Sequence, residues 1–296
     1  MKKAHFCIIL YIFLIISIGT ACQKSQSKTP ASPIESYLST DILPDSLSPA
    51  NLIELQINSS GSTIYGFEYT ANGASLHPTI IMLHGLPGNE RNLDLTQNLR
   101  RAGYNIIYFN YRGSWGSQGT FSYQNALEDI NAVINHISHP QNIQRLKIDT
   151  NKIALFGHSM GAGLAMINGL NNPKVKAISA VSIFNPYTIF KGMEAPINLA
   201  EFNQYLSTLG MLNCKPEEFS QEMISHLDNY NIEQFVAISR KPILVIDEHK
   251  NNIYLANHKK KKNLTYKIWD TDHAFTNKRI ALSREIKNWL DLHLAN

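Results

Sequence analysis

The residues of this chain best suited to do chemistry centre on Ser159, in the run KIALFGHSMGAG at residues 152–163. A short apolar, β-prone stretch leads straight into Gly157-His158-Ser159-Met160-Gly161, and small residues suited to a helix follow. A serine on so sharp a strand-to-helix turn takes strained torsions and holds its hydroxyl in the open. Glycines two residues to either side remove side chains that would collide there. The turn also aims the N-terminus of the next helix at the hydroxyl, which favours negative charge developing beside it. A bare Gly-x-Ser-x-Gly means little, because small residues are common. Between a strand and a helix it marks a candidate nucleophile.

The elements that must position Ser159 follow from hydrophobic periodicity. Residues 52–57 and 62–69 alternate apolar with polar and predict an antiparallel pair, with Asn58-Ser59-Ser60-Gly61 as the turn. Thr79–Leu83, Asn105–Tyr111, Lys152–Phe156, Lys176–Phe184 and Ile243–Asp247 are continuous apolar runs, as strands buried on both faces require. Leu264–Ile268 is the last strand. Helices are predicted at Leu93–Ala102, with Asn92 as N-cap and Gly103 as its end, and at Ser122–Ile137, Gly161–Leu170 and Arg279–Leu294. This alternation predicts an α/β fold with a mostly parallel sheet covered on both faces. Residues 186–239 break the rhythm. They are too long for an ordinary connection, hold helix-like pieces at Leu199–Leu209 and Pro216–Asn229, and read as a helical cap. No internal repeat, metal-ligand cluster or cofactor motif is present.

Three further motifs stand in order around the serine. His84-Gly85-Leu86-Pro87-Gly88 follows the third strand, residues 110–117 (NYRGSWGS) follow the fourth, and Thr271-Asp272-His273-Ala274-Phe275 follows the eighth. From about Asn51 to its end the chain thus resembles an α/β-hydrolase. It is most similar to the branch of serine aminopeptidase-like hydrolases, acyl esterases and monoacylglycerol lipases. The resemblance implies an eight-stranded sheet, core segments 51–185 and 240–296, and a cap at 186–239. It also implies a reaction in which Ser159 attacks an acyl carbonyl and His273 carries the proton to the leaving group. The backbone N–H groups of Leu86 and Met160 would hold the oxyanion. His84 is expected to brace the oxyanion loop, Arg112 to fix its own loop, and His158 to pack under the turn. Asp272 is one peptide from His273, poor geometry for orienting its ring.

The third member departs from the family pattern, which places an aspartate in Gly-x-x-Asp a few residues past the seventh strand. Here Asn251 stands at that place, and Asp247 and Glu248 end the strand. Asp247 is taken first, with Glu248 and Asn251 as alternatives. The primary expectation is therefore a carboxylic-ester hydrolase with a small acyl substrate and no cofactor or metal. A peptidase or amidase of the serine aminopeptidase type is a second reading. A decayed hydrolase serving as a binding scaffold is a third, and the missing aspartate motivates it. A carboxylate nucleophile of the dehalogenase kind is excluded by the serine.

The N-terminus adds a location. Lys2 and Lys3 precede an apolar stretch of about 12 residues, too short to span a bilayer but suited to a signal peptide. Gly19-Thr20-Ala21-Cys22 resembles the lipobox of bacterial lipoproteins, with Gly19 in place of the commoner leucine. Residues 1–21 are expected to be removed and Cys22 lipidated. Residues 22–50 then form a tether and extension, of which Gln23–Pro33 is too polar and proline-rich to build a core. With Cys7 removed and Cys22 lipidated, only Cys214 remains, so no intramolecular disulfide is expected. Gln23, not aspartate, follows the cysteine, and by resemblance this favours the outer over the inner membrane of a bacterial envelope. Removing Lys2 and Lys3 takes the formal charge from +4 to about +2, too little to argue for nucleic acid. The run Lys259–Lys262 reads as a solvated loop.

Overall fold

The computed structural model describes residues 35–191, 196–260 and 262–294. The signal segment, Cys22 and the 23–33 tether lie outside the described residues, as does Lys261 of the basic run.

Eight strands form one sheet: β1 (Asn51–Ser59), β2 (Ser62–Thr70), β3 (His77–Leu83), β4 (Asn105–Phe109), β5 (Ile148–His158), β6 (Val175–Val181), β7 (Ile243–Asp247) and β8 (Leu264–Ile268). Their order is β1-β2-β4-β3-β5-β6-β7-β8. Strand β2 runs antiparallel to both its neighbours, and β3 to β8 pair in parallel. The helices are α1 (Ser36–Ser39), α2 (Leu93–Arg101), α3 (Tyr123–Ile137), α4 (Pro140–Ile143), α5 (Met160–Asn171), α6 (Pro186–Phe190), α7 (Pro196–Ser207), α8 (Pro216–Ser225), α9 (Ile232–Ile238) and α10 (Arg279–Leu294). This is the α/β-hydrolase fold with a helical cap.

The pleat explains the continuous apolar strands. Successive side chains point to opposite faces, and here both faces are dry. Ile81, Ile107, Leu155, Ile243 and Val245 join one core with Ile130 and Ile134 of α3, Leu164 and Ala165 of α5 and Val236 of α9. Their neighbours Ile80, Ile106, Ala154, Leu244 and Ile246 join the other, with Leu95 and Leu99 of α2 and Leu282, Ile286 and Leu290 of α10. Each buried Ile, Leu or Val among them contributes about 1.5–3 kcal/mol by leaving water.

The cap helices α6 to α9 fill the long connection between β6 and β7. Phe190, Phe219 and Met223 are buried, and Phe219 stacks on Phe121 with ring centroids 5.5 Å apart. The buried apolar residues of the cap therefore extend the core on the α3 and α5 face of the sheet. Backbone hydrogen bonds from Trp115 N–H to Met211 O (3.0 Å) and from Asn213 N–H to Gly113 O (2.7 Å) stitch the cap to the loop after β4. Residues 35–50 run along the core: Tyr37 is buried, and its carbonyl accepts from Arg101 Nε at 2.7 Å.

Three local expectations change. Asn92 precedes α2 in a left-handed conformation with no capping bond from its side chain, because Arg279 Nη1 takes its Oδ1 at 3.0 Å. The helix predicted to reach Asn229 ends at Ser225 and continues as a 3₁₀ turn over Leu227–Tyr230. Residues 253–260 form a further 3₁₀ helix that the sequence reading did not include.

Candidate active site

Ser159 joins β5 to α5 with φ 57° and ψ −120°. A non-glycine residue held in such a region costs about 1–3 kcal/mol and persists only where its surroundings fix it. Here the Ser159 N–H donates to Val181 O at 3.0 Å, and its carbonyl accepts from Ala162 N–H at 3.0 Å and Phe184 N–H at 3.1 Å. The flanking glycines meet a demand for space. A Cβ on Gly157 would lie 2.1 Å from Gly161 O, and one on Gly161 would lie 2.1 Å from Leu83 O. The loop after β3 also passes near, since a Cβ on Gly85 would lie 3.0 Å from Ser159 Cβ. Leu86 follows Gly85, whose backbone passes beside Ser159, and Met160 follows the serine itself at the start of α5.

Side chains lock that loop. His84 is buried, and its Nδ1–H donates to Gly85 O at 2.8 Å. Burial pushes its pKa down to about 4, so the ring is neutral at pH 7. Trp115 Nε1–H donates to Pro87 O at 2.7 Å. Arg112 stands behind this layer. Its N–H and Nε donate to Asp129 at 2.7 and 2.6 Å, and its Nη2 donates to Glu128 Oε2 at 2.7 Å. It secures the loop after β4 against α3 and lies away from the serine.

The far side of the site is built from three loops. His273, after β8, has its Nδ1 2.9 Å from Glu248 Oε1. Ser182, after β6, donates its hydroxyl to the same Oε1 at 2.7 Å and stands 2.7 Å from His273 Nδ1. The sequence reading put Asp247 first, and the structure corrects it. Asp247 is fully buried. Its Oδ1 accepts from Ile183 N–H at 2.9 Å and its Oδ2 from the Tyr266 hydroxyl at 2.9 Å. The reason is the pleat: Asp247 shares the face of Ile243 and Val245, whereas Glu248 falls with Leu244 and Ile246 on the face of Phe275 in the histidine loop. Asn251, the other alternative, lines a cavity beside Ser159. Asp272 Oδ1 accepts from Thr276 N–H at 2.7 Å and shapes the turn that carries His273.

Electrostatics fit the contacts. Burial alone would raise the Glu248 carboxyl, but hydrogen bonds from His273 and Ser182 outweigh it and hold the pKa down at about 2. The Glu248 carboxylate in turn raises His273 above its ordinary value, against a smaller opposing effect of burial. His158 is nearly buried, and burial lowers it to about 4. A neutral His158 Nε2–H donates to His273 O at 2.8 Å, so this residue holds the histidine loop as well as packing under the turn. Sequence reasoning missed Ser182 and this use of His158. Nothing in the chain marks an ordinary serine at a strand's end.

Two cavities meet at Ser159 and His273. One, of about 180 Å³, is lined by Gly85 to Glu90 and His158. The other, of about 190 Å³, is lined by Ser182 to Asn185, Thr188, Ile189 and the His249–Asn252 loop. The arrangement presents a serine on a strained turn, a neutralisable imidazole, a carboxylate behind it and room on two sides. The family model BD-FAE matches residues 68–269. The chain belongs to the BD-FAE family. It is similar to the alpha/beta hydrolase domain-containing protein WAV2 of Arabidopsis thaliana, 30% identical over 113 residues that cover 38% of this chain and 34% of that one. It is also similar to the lysophosphatidylserine lipase ABHD12 of Bos taurus, 32% identical over 95 residues that cover 31% of this chain and 22% of that one. The chain thus matches about a third of the length of the first of these relatives and less of the second. Among solved structures, ferulic acid-bound Est1E from Butyrivibrio proteoclasticus superposes with a TM-score of 0.63 at 17% identity, covering 82% of this chain and all of that one. Family and relatives make this BD-FAE member an α/β-hydrolase.

Proposed function

We propose that this BD-FAE protein is a serine hydrolase that cleaves carboxylic esters of small acyl substrates through an acyl-enzyme on Ser159. The observation that carries the reading is the 2.9 Å contact between His273 Nδ1 and Glu248 Oε1, behind a histidine that lines the same cavities as Ser159. With Nδ1–H fixed on a carboxylate, Nε2 is left as the basic nitrogen and takes the Ser159 proton as the hydroxyl attacks the carbonyl carbon. The tetrahedral oxyanion is received by the N–H groups of Leu86 and Met160, each of which is worth about 10²–10³ in turnover. His273 then protonates the leaving alcohol, and water repeats the cycle to release the acid. Glu248 opposes the decayed-scaffold reading, because the acid missing from its usual place is supplied from the end of β7. The small cavities favour compact esters.

The same proposal includes location. A lipid at Cys22 would anchor the hydrolase at the bacterial cell envelope, in the outer membrane, with residues 22–50 as tether and extension, 51–185 and 240–296 as hydrolase core and 186–239 as cap. The lipobox-like Gly19–Cys22 and the absence of aspartate after Cys22 support it. A fluorophosphonate probe should label Ser159 in the folded protein, and short p-nitrophenyl esters should be hydrolysed at least about 10⁴-fold more slowly by Ser159→Ala. Equal rates for the two proteins would sink the reading. For the anchor, Cys22→Ser should move the protein from the membrane to the soluble fraction, and unchanged membrane recovery would refute it.

A further inference from the structure

Ser182 joins the histidine and its acid in a closed triangle. Its hydroxyl is 2.7 Å from Glu248 Oε1 and 2.7 Å from His273 Nδ1, and those two atoms are 2.9 Å apart. The Ser182 O–H donates to the carboxylate, and its lone pairs face the histidine N–H. That N–H is therefore shared between carboxylate and hydroxyl. The side chain sits on a backbone of φ +54°, a region that glycine enters without strain and serine does not. The turn is held from both sides: Ser182 N–H donates to Ile246 O at 2.9 Å, and the next N–H, of Ile183, donates to Asp247 Oδ1 at 2.9 Å. A strained, anchored turn that keeps a serine where glycine would sit more easily implies a use for the hydroxyl.

The use follows from the acid's length. Glutamate has one more rotatable bond than aspartate, and a longer side chain loses more freedom when it is fixed in one rotamer. Glu248 reaches His273 from directly beyond β7, with its Oε2 buried and without a hydrogen-bond partner among the described residues. Its orientation thus depends on what Oε1 receives, and Ser182 is the second donor there. We propose that Ser182 is a positioning residue of the catalytic site: it clamps Glu248 and His273 in one arrangement and makes a glutamate serve where the family pattern has an aspartate. This inference rests on the hydrolase reading above.

The test compares Ser182→Ala with Ser182→Gly. Both remove the hydroxyl, but only glycine relieves the backbone. Clamping predicts that both variants lose about 10- to 100-fold in kcat on a p-nitrophenyl ester with KM within about threefold of wild type, whatever their melting temperatures. Ser182→Gly should be the more stable of the two and no faster. Either of two results would overturn the proposal: wild-type kcat in the alanine variant, or activity in the two variants that rises and falls with thermal stability. Fluorophosphonate labelling of wild-type Ser159 in the same preparations separates the two readings. Labelled and active wild type with unimpaired Ser182 variants removes the clamp alone, whereas unlabelled and inactive wild type removes the hydrolase reading and the clamp with it.

Discussion

The two sides of His273 are built from different materials. On the nucleophile side, backbone meets backbone: Gly157 and Gly161 let β5, α5 and the end of β3 approach to distances that no Cβ allows. On the acid side, side chains meet: Glu248, Ser182 and His273 come from three loops and touch only through their polar ends. A site assembled from backbone contacts is inseparable from the fold. A site assembled from side-chain hydrogen bonds can lose function while the fold stands. Substitutions on the two sides should therefore fail in different ways.

The largest effect is expected at Gly161. Its added Cβ would lie 2.1 Å from Leu83 O and 2.6 Å from His84 O, and neither carbonyl belongs to a flexible side chain. Gly161→Ala should lose more than about 3 kcal/mol of stability, measured by urea unfolding, and all activity with it. A folded, active alanine variant would break the comparison at its root. On the other side, Glu248→Gln should fold with a near-native unfolding midpoint and lose about 10²–10⁴ in kcat, because the amide no longer enforces the tautomer and orientation of His273. Its pH profile carries a second reading. The carboxylate raises His273, and His273 must be neutral to act as a base. The acid limb of kcat/KM should therefore move to lower pH in the glutamine variant. An unmoved limb would mean that Glu248 is not the charge His273 feels.

The neighbouring carboxylate sharpens the contrast further. Asp247 serves the fold, holding Ile183 N–H and the Tyr266 hydroxyl. In Asp247→Asn the new amide NH₂ would face the Asn252 Nδ2 that now donates to Oδ2 at 3.3 Å. We expect a loss of about 1–3 kcal/mol, read as a lower melting temperature, with kcat reduced less than about tenfold. A large kcat loss at unchanged stability would exchange the roles assigned to the two residues.

The same division explains what could be read in advance. Strands buried on both faces write themselves as unbroken apolar runs, and backbone crowding writes itself as glycine, so the sheet and the nucleophile turn are visible in the sequence. Polar contacts between distant loops leave no local signature. Ser182, Glu248 and His273 are 66 and 25 residues apart in the chain, and no period links them. One signal does lie in the chain: alternation along Ile243–Glu248 sends Asp247 and Glu248 to opposite faces. The left-handed Asn92 shows the limit in miniature, since its capping role is displaced by Arg279, which is 187 residues away.

The last test asks whether hydrogen bonds, not burial, decide how a carboxylate behaves here. Glu68 in β2 is fully buried, deeper than the partly exposed Glu248, and neither of its oxygens has a hydrogen-bond partner among the described residues. Burial, opposed only in part by the charges of Arg145 and Lys147, raises its pKa to about 8, where Glu248 with two donors is held at about 2. Glu68 is thus protonated in the folded protein at neutral pH and ionised in the unfolded chain. The unfolded state binds fewer protons between the ordinary value of 4.5 and the raised value, so stability falls as pH rises through that window. The contribution is full below about pH 4.5 and declines by roughly 3 kcal/mol by pH 7, at about 1.4 kcal/mol per unit. In Glu68→Gln this decline should vanish, whatever constant offset the amide introduces. Urea midpoints of both proteins at pH 5 and pH 8 measure it: wild type should lose stability between the two, and the variant should lose less. Parallel profiles would mean that Glu68 finds a partner or water in solution, and that burial without donors does not set its charge.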